Sequence, residues 1–276
     1  MPSFGEGQPE SGPGHWLGQT AVVVERSSAG DPERTLRLLW LADDPAPRRG
    51  PSRTWTVASV IDAAIALADA GGLQALSMRA VAEHVGTRAM SLYTYVPGKA
   101  ELVDAMLDRV YAGMARAPLE GLTWRDRVRA VADDNMALYA AHPWAAEVST
   151  ARPTLGPGTF AKYEHELSAF DGLGMDDRDI DAALTYVLQF TRAAGLAAHA
   201  EAVAARESSS SDQEWWAAAA PLLARWVDPD VYPRAVRIGT AAGEAQGSAA
   251  RAQHLYSFGV ARVIDGLAAL IDAPGT

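Results

Sequence analysis

The sequence predicts an all-α fold in two parts, an N-terminal three-helix helix-turn-helix unit and a larger helical domain behind it. Three observations carry this. Apolar residues recur at helical spacing through most of Val57 to Ile271, and no stretch holds the two-residue alternation of a half-buried strand. Breakers at Gly71-Gly72, Gly86 and Pro97-Gly98 cut the first part into short pieces, whereas later pieces run much longer. With 276 residues, 49% of them apolar, the chain has enough material for two cores. The boundaries this suggests are an extension over 1–53, expected to be largely disordered with a short helix near 33–41, a small domain over 54–113 and a large one over 114–276.

Composition removes several classes of function. There is no cysteine, which excludes a disulfide framework, a thiolate metal site and a thiol nucleophile. Met1 to Gly14 is rich in Gly, Pro and Glu, without the basic flank and apolar stretch of a secretory signal, and is expected to be disordered. No run approaches the roughly 18 apolar residues of a membrane span, so a soluble, cytoplasmic protein with no membrane partner is expected. The formal net charge of −10 opposes polyanion binding as a sum, but its distribution does not. From Arg48 to Lys99 six basic residues stand against three acidic ones, a local +3 that leaves −13 for the rest and would orient the molecule on DNA.

Within the extension, Ala21 to Val24 is apolar, Ser27 to Pro32 reads as a loop, and Leu36 to Leu41 follows a Pro and a Glu that predict a short helix near 33–41. Asp43 to Pro51 is a Pro- and Arg-rich linker. Arg48-Arg49-Gly-Pro-Ser-Arg53 could equally be a solvated linker or an arm reaching a minor groove. Val57, Val60, Ile61, Ala64, Ile65 and Ala68 then form one helical stripe, stopped by Gly71-Gly72. Ser77 is placed to cap a second helix through His84, which Gly86 breaks. A third runs from about Arg88 to Tyr95, and a fourth starts near Lys99 with Leu102, Met106, Val110 and Met114 on one side.

On the third helix, about 100° per residue puts Thr87, Met90, Ser91 and Thr94 on one face and Leu92 and Val96 on the other. Hydroxyls can bond bases or phosphates, Met90 can pack on a thymine methyl, and Tyr93 can offer its phenol to a phosphate. Arg79 and Lys99, at the starts of the second and fourth helices, would clamp the backbone on either side. An ordinary helical hairpin with a solvated polar side is the bland alternative, and exposed Met and Tyr side chains argue against it.

Leu76-Ser-Met-Arg-Ala-Val-Ala-Glu-His-Val-Gly86 followed by Ala89-Met-Ser-Leu-Tyr-Thr-Tyr-Val-Pro-Gly-Lys99 resembles the DNA-binding domain of the tetracycline-repressor (TetR) family. That resemblance implies a homodimer on double-stranded operator DNA, with a reading head, a connecting fourth helix and a larger domain for ligand binding and dimerisation. Carried over position by position, it places DNA contacts on Ser77, Arg79, Ala89, Met90, Ser91, Tyr93, Thr94, Tyr95 and Lys99, although Ala89 and Tyr95 fall on the inner side of an ideal helical wheel.

Further along, periodicity predicts helices over Trp124 to Ala141, Thr159 to Gly172, Asp177 to Arg206, Asp212 to Val227 and Ala249 to Ile271, with one or two helical turns between Pro229 and Gly247. Thr150-Ala-Arg-Pro-Thr154, Tyr163-Glu-His-Glu-Leu and Phe258 to Leu267 are similar to the C-terminal domain of the tetracycline-repressor subgroup itself. By that likeness Asp177 to Arg206 and Ala249 to Ile271 would form the dimer bundle. A small-molecule inducer would meet Asn135, Leu138, Trp144, Arg152, Tyr163, Phe170, Gln189, Phe190 and Arg192. Where tetracycline sensors place a magnesium-binding His before the Arg-Pro pair, this chain has Val148 or its neighbours, which disfavours a metal-chelated tetracycline. No cofactor is expected. Glu164-His165-Glu166 with Asp133-Asp134 is the strongest enzymatic hint, but three adjacent residues on a helix point apart and no His-Glu-x-x-His or phosphate loop accompanies them, so a solvated face is expected. A helical partner-binding protein is the remaining alternative.

Overall fold

Helix starts follow from side chains that answer the first free N–H groups, and the computed structural model uses them repeatedly. It describes residues 25–41, 55–208, 211–245 and 248–272. Among these the helices are α1 (Pro32–Leu41), α2 (Val57–Gly71), α3 (Met78–His84), α4 (Ala89–Leu92), α5 (Lys99–Gly113), α6 (Trp124–Ala141), α7 (Pro143–Glu147), α8 (Pro157–Leu167), α9 (Asp177–Glu207), α10 (Asp212–Trp226), α11 (Pro233–Ala245) and α12 (Ser248–Ile271). Thr56 and Ser59 form a reciprocal capping box at α2, Ser77 caps α3 by accepting from the Ala80 N–H, and Thr123 and Asp176 do the same for α6 and α9. Proline opens α7 and α8, where its missing N–H costs nothing.

Two cores result. One joins α2, α3, α4 and the inner side of α5 through Val60, Ala64, Val81, Leu92, Leu102 and Met106, and continues into α6 and α7 at Leu138 and Trp144. The other joins α6, α9 and α12 through Val128, Val131, Leu184, Val187, Val260 and Ile264, closed by Phe170. Helix α5 therefore belongs to both parts of the molecule. Its apolar side faces α2, while Glu101, Asp104 and Asp108, one face at helical spacing, are buried on the other side. Gly158 lets α8 cross there, since a Cβ would stand 2.0 Å from the Asp108 carbonyl oxygen.

Four expectations need correction. The third helix stops at Leu92 instead of Tyr95, because the Thr94 and Tyr95 N–H groups bond back to Ser91 and Leu92 in a tighter turn. Residues 233–245 form a full helix instead of one or two turns. The extension is not largely disordered over its described residues: the short helix expected near 33–41 is α1, which lies on α5, and the residues before it pair with the 149–153 segment; the expected disorder of 1–14, the apolar 21–24 stretch, the 43–51 linker and the 48–53 arm lie outside the described residues. Ala252–Ile271 is long and apolar enough to cross a membrane by length and composition. Its leucines, valines and isoleucines give that hydropathy, yet Tyr256, Val260, Val263, Ile264 and Leu267 are buried inside the second core.

Candidate nucleic-acid interface and effector site

The reading unit is short because Gly86 turns the chain at φ 74°, a conformation in which other residues are strained, and so separates α3 from α4 by only a few residues. Leu92 and Val96 plug α4 into the first core with no exposed surface, which fixes what the remaining residues can present. Met90 is 78% exposed, Tyr93 is exposed, and Ser91 and Thr94 lie in the open beside them. Thr94 Oγ1 donates to the Ser91 carbonyl at 2.7 Å, leaving its lone pairs outward. Ser77 is exposed at the α3 N-terminus with its hydroxyl engaged as a cap. Ala89 and Tyr95 are half-buried against the first core, the inner side that the helical wheel gives them.

The two cations behave differently from simple phosphate clamps. Arg79 is exposed and pairs with Glu83 one turn on at 2.7 Å, and the hydrogen bond to Glu83 raises its pKa further. Lys99 Nζ lies 2.5 Å from Glu25, a residue of the extension. Arg88, the N-cap of α4, is exposed with no ion-pair partner among the described residues. From sequence it reads only as a helix boundary; in the fold it adds an exposed cation at the N-terminal end of α4.

The nine residues expected around an inducer do not line one space. Asn135 and Arg192 belong to a buried polar cluster. Lys162 Nζ reaches both Glu166 oxygens at 2.6 and 2.8 Å, and Asn135 Nδ2 donates to Glu166 at 2.6 Å and to the Val131 carbonyl at 2.9 Å. Asn135 is wholly buried and its Oδ1 has no partner. The Lys162 ammonium sits 5.3 Å from the Tyr111 ring centre. Burial, with Glu166 adding to it, pushes the Tyr139 phenol up to about 12, and burial raises Tyr111 in the same direction. Arg192, whose Nε donates to the Ala146 carbonyl, opposes both shifts. Helices α5, α6, α8 and α9 each contribute to this cluster.

Elsewhere, Leu138 and Trp144 are first-core residues, and the Trp144 indole donates to Asp69 of α2 at 2.7 Å, with His142 Nδ1 on the same oxygen at 2.8 Å. Phe170 is core, Phe190 stacks on Tyr256 at 6.2 Å, Tyr163 points outward to bond Asp181, and Arg152 and Gln189 are exposed. Val148 is fully buried. Open space lies apart from the polar cluster: a groove of about 440 Å³ between α2, α5 and α6, walled by Ile65, Val110, Met114 and Leu138 and rimmed by the Arg109–Asp62 pair, and a smaller one of about 230 Å³ between α6, α9 and α12.

The acidic segment of α8 corrects one reading. Glu164 is solvated as expected, but Glu166 is 2% exposed, because Lys162 one turn earlier neutralises it inside the domain. An i,i+4 Lys-Glu pair usually reads as surface, so only the buried neighbours on other helices reveal it. Asp133 and Asp134 are structural acceptors, from the Tyr256 hydroxyl and the Ala117 N–H.

Against known proteins, residues 60–106 match the family described as bacterial regulatory proteins, tetR family, and residues 117–271 match the tetracyclin repressor-like C-terminal domain. The chain is 37% identical to the HTH-type transcriptional repressor DrrR1 of Streptomyces coeruleorubidus over 91% of both chains. It is 32% identical to an HTH-type transcriptional regulator of Saccharopolyspora erythraea over 58% of this chain and 67% of that one. The crystal structure of the Streptomyces coelicolor TetR family protein ActR in complex with actinorhodin superposes with a TM-score of 0.66 at 21% identity, covering 80% of this chain and 99% of that one. A helix-turn-helix head with its reading face open, joined by one shared helix to a domain that matches over its whole length, places this chain in the TetR family of transcriptional regulators.

Proposed function

We propose that the chain is a dimeric repressor that leaves its operator when a small molecule enters the C-terminal domain. The observation that carries the DNA half is the open face of α4, where an apolar Met90 stands in water among hydroxyls while its neighbours Leu92 and Val96 are fully buried. A thymine methyl beside hydrogen-bonding base edges is a chemical match for a methionine set among hydroxyls on the outer side of a helix-turn-helix. The 37% identity to a named repressor supports repression as the sign.

The polar cluster of Asn135, Lys162, Glu166, Tyr111 and Tyr139 supports the effector half. Desolvating an ion pair inside an α-helical domain costs several kcal/mol, and an unpartnered Asn135 carbonyl adds to that cost. A ligand hydroxyl could donate to Asn135, and entry there would push α5 and α8 apart. A solved structure of the same fold holds actinorhodin, which makes that compound the first to test.

For the dimer, Leu255 and Phe258 share an exposed face of α12 away from its buried stripe, and Trp215, Trp216, Trp226 and Tyr232 on and beside α10 are exposed too. A second copy accounts for both. Two α4 helices would then stand about 34–36 Å apart, on successive major grooves, and a near-complete switch asks for roughly 5.5 kcal/mol of differential ligand binding.

The test is gel-shift titration on DNA flanking the chain's own gene. Replacing Met90 and Ser91 together by alanine should leave the melting temperature unchanged and cost about 1–3 kcal/mol of operator binding. Absence of any sequence-selective complex with the unaltered protein would end the reading.

A further inference from the structure

The segment ahead of the reading head touches both ends of the signalling route. Its backbone pairs with the 149 segment: the Ser149 N–H donates to the Glu25 carbonyl at 2.9 Å and the Ser27 N–H to the Ser149 carbonyl at 3.0 Å. The Ser27 hydroxyl donates to the Arg152 carbonyl at 2.5 Å and the Ser28 hydroxyl to the Pro153 carbonyl at 2.9 Å. At the far end the Trp40 indole donates to the Leu155 carbonyl at 2.7 Å, and its ring lies 6.1 Å from Phe160 of α8.

The same segment rests on the carboxylate row of α5. Glu101 accepts from the Asp31 N–H at 3.3 Å and Asp104 from the Ser28 N–H at 2.8 Å, while Asp108 accepts from the Gly158 and Thr159 N–H groups at 3.1 and 2.8 Å. Three carboxylates on one helix thus hold the extension and the start of α8 side by side. At the edge nearest the reading head, Glu25 takes the Lys99 ammonium. That lysine cannot hold this carboxylate and a phosphate with the same strength at once, and a carboxylate there repels phosphate in its own right.

We propose that residues 25–41 form an autoinhibitory strap: docked between α5 and the 149–155 segment, it holds Lys99 away from DNA, so the grip on phosphate depends on the state of the ligand-binding domain. The proposal rests on Lys99 being a phosphate contact. When DNA takes Lys99 the strap loosens, and whatever keeps the 149–155 segment in place tightens the strap. The coupling is reciprocal, so DNA must weaken the strap by the factor by which the strap weakens DNA binding.

The experiment uses the full chain and a 30-base-pair duplex selected from a random pool by the unaltered protein, titrated at several salt concentrations. Glu25→Gln should tighten binding about 3- to 10-fold at 0.1 M salt and steepen the salt dependence by about 0.9, one added phosphate contact. Loosening the strap's seat at its two ends with Ser27→Ala and Trp40→Ala, which touch neither charge, should tighten binding in the same direction. In a Lys99→Ala background Glu25→Gln should do nothing. DNA at saturation should speed hydrogen exchange at the Ser27, Ser28 and Ser149 amides.

If Lys99→Ala weakens binding but Glu25→Gln changes neither affinity nor salt slope, Lys99 touches DNA and the strap is refuted. If Glu25→Gln still tightens binding without Lys99, general repulsion is at work and the strap is again refuted. If Lys99→Ala changes nothing even when Glu25 is Gln, the lysine is no DNA contact; both that assignment and the strap fail while operator recognition by α4 stands.

Discussion

Among the single side chains, Lys162 and Glu166 differ most from what their local sequence suggests. Between them they place an ion pair among Asn135, Tyr111 and Tyr139 at the meeting of four helices. Removing one member strands the other's charge. Lys162→Met should therefore lower stability by about 3–5 kcal/mol in urea denaturation, whereas Lys162→Met with Glu166→Leu should recover most of it, since a buried pair contributes little net once both charges are gone. Equal losses in the single and double variants would mean that Lys162 matters for its packing rather than its charge. The sequence-based choice of Asn135 and Arg192 fell on this cluster, but Lys162, Glu166, Tyr111 and Tyr139 were not legible. Their burial is made by residues dozens of positions away, and helical phase within one element says nothing of which neighbour covers it.

For whole elements the balance is different. Helix existence was legible nearly everywhere, because apolar spacing and the caps Thr56, Ser77, Thr123 and Asp176 are local. Length was less so. Helix α4 stops early because the Thr94 and Tyr95 amides turn back to Ser91 and Leu92, and α11 forms over a stretch whose weak periodicity specified only one or two turns. What no local pattern gives is how closely two helices approach. Helix α8 crosses α5 at Gly158 with no room for a methyl group. Gly158→Val should thus cost more than the usual 1–3 kcal/mol of an overpacked core, and it should also release the Gly158 and Thr159 amides from Asp108, measurable as faster hydrogen exchange at the α8 N-terminus. A variant of unchanged stability and exchange would show that the helices can separate there freely.

Across the whole molecule, α5 is the member on which the reading head, the C-terminal domain and the extension all bear. The head is bolted to the domain through Asp69 with Trp144 and His142, and Arg109 with Asp62 fixes α2 on α5 within the head. A shift of α5 relative to α8 has a direct route to α4. Operator recognition by two heads further requires that a second copy cover the outer face of α12. Leu255→Glu with Phe258→Glu should give a monomer in sedimentation at micromolar concentration and lose selective DNA binding, with helix content retained. A dimer that survives both changes would move the interface elsewhere.

By itself the sequence determined the all-α class, the helix-turn-helix and the outward face of its reading helix, because these follow from periodicity, capping and glycine turns acting over a few residues. The tertiary structure alone decided that Lys99 is paired with Glu25, that three carboxylates of α5 are buried, and that the proposed inducer contacts divide among a polar cluster, two cores and the surface. Those are consequences of which distant segments meet, and the desolvation and pairing that set a charged group's role exist only once they have met.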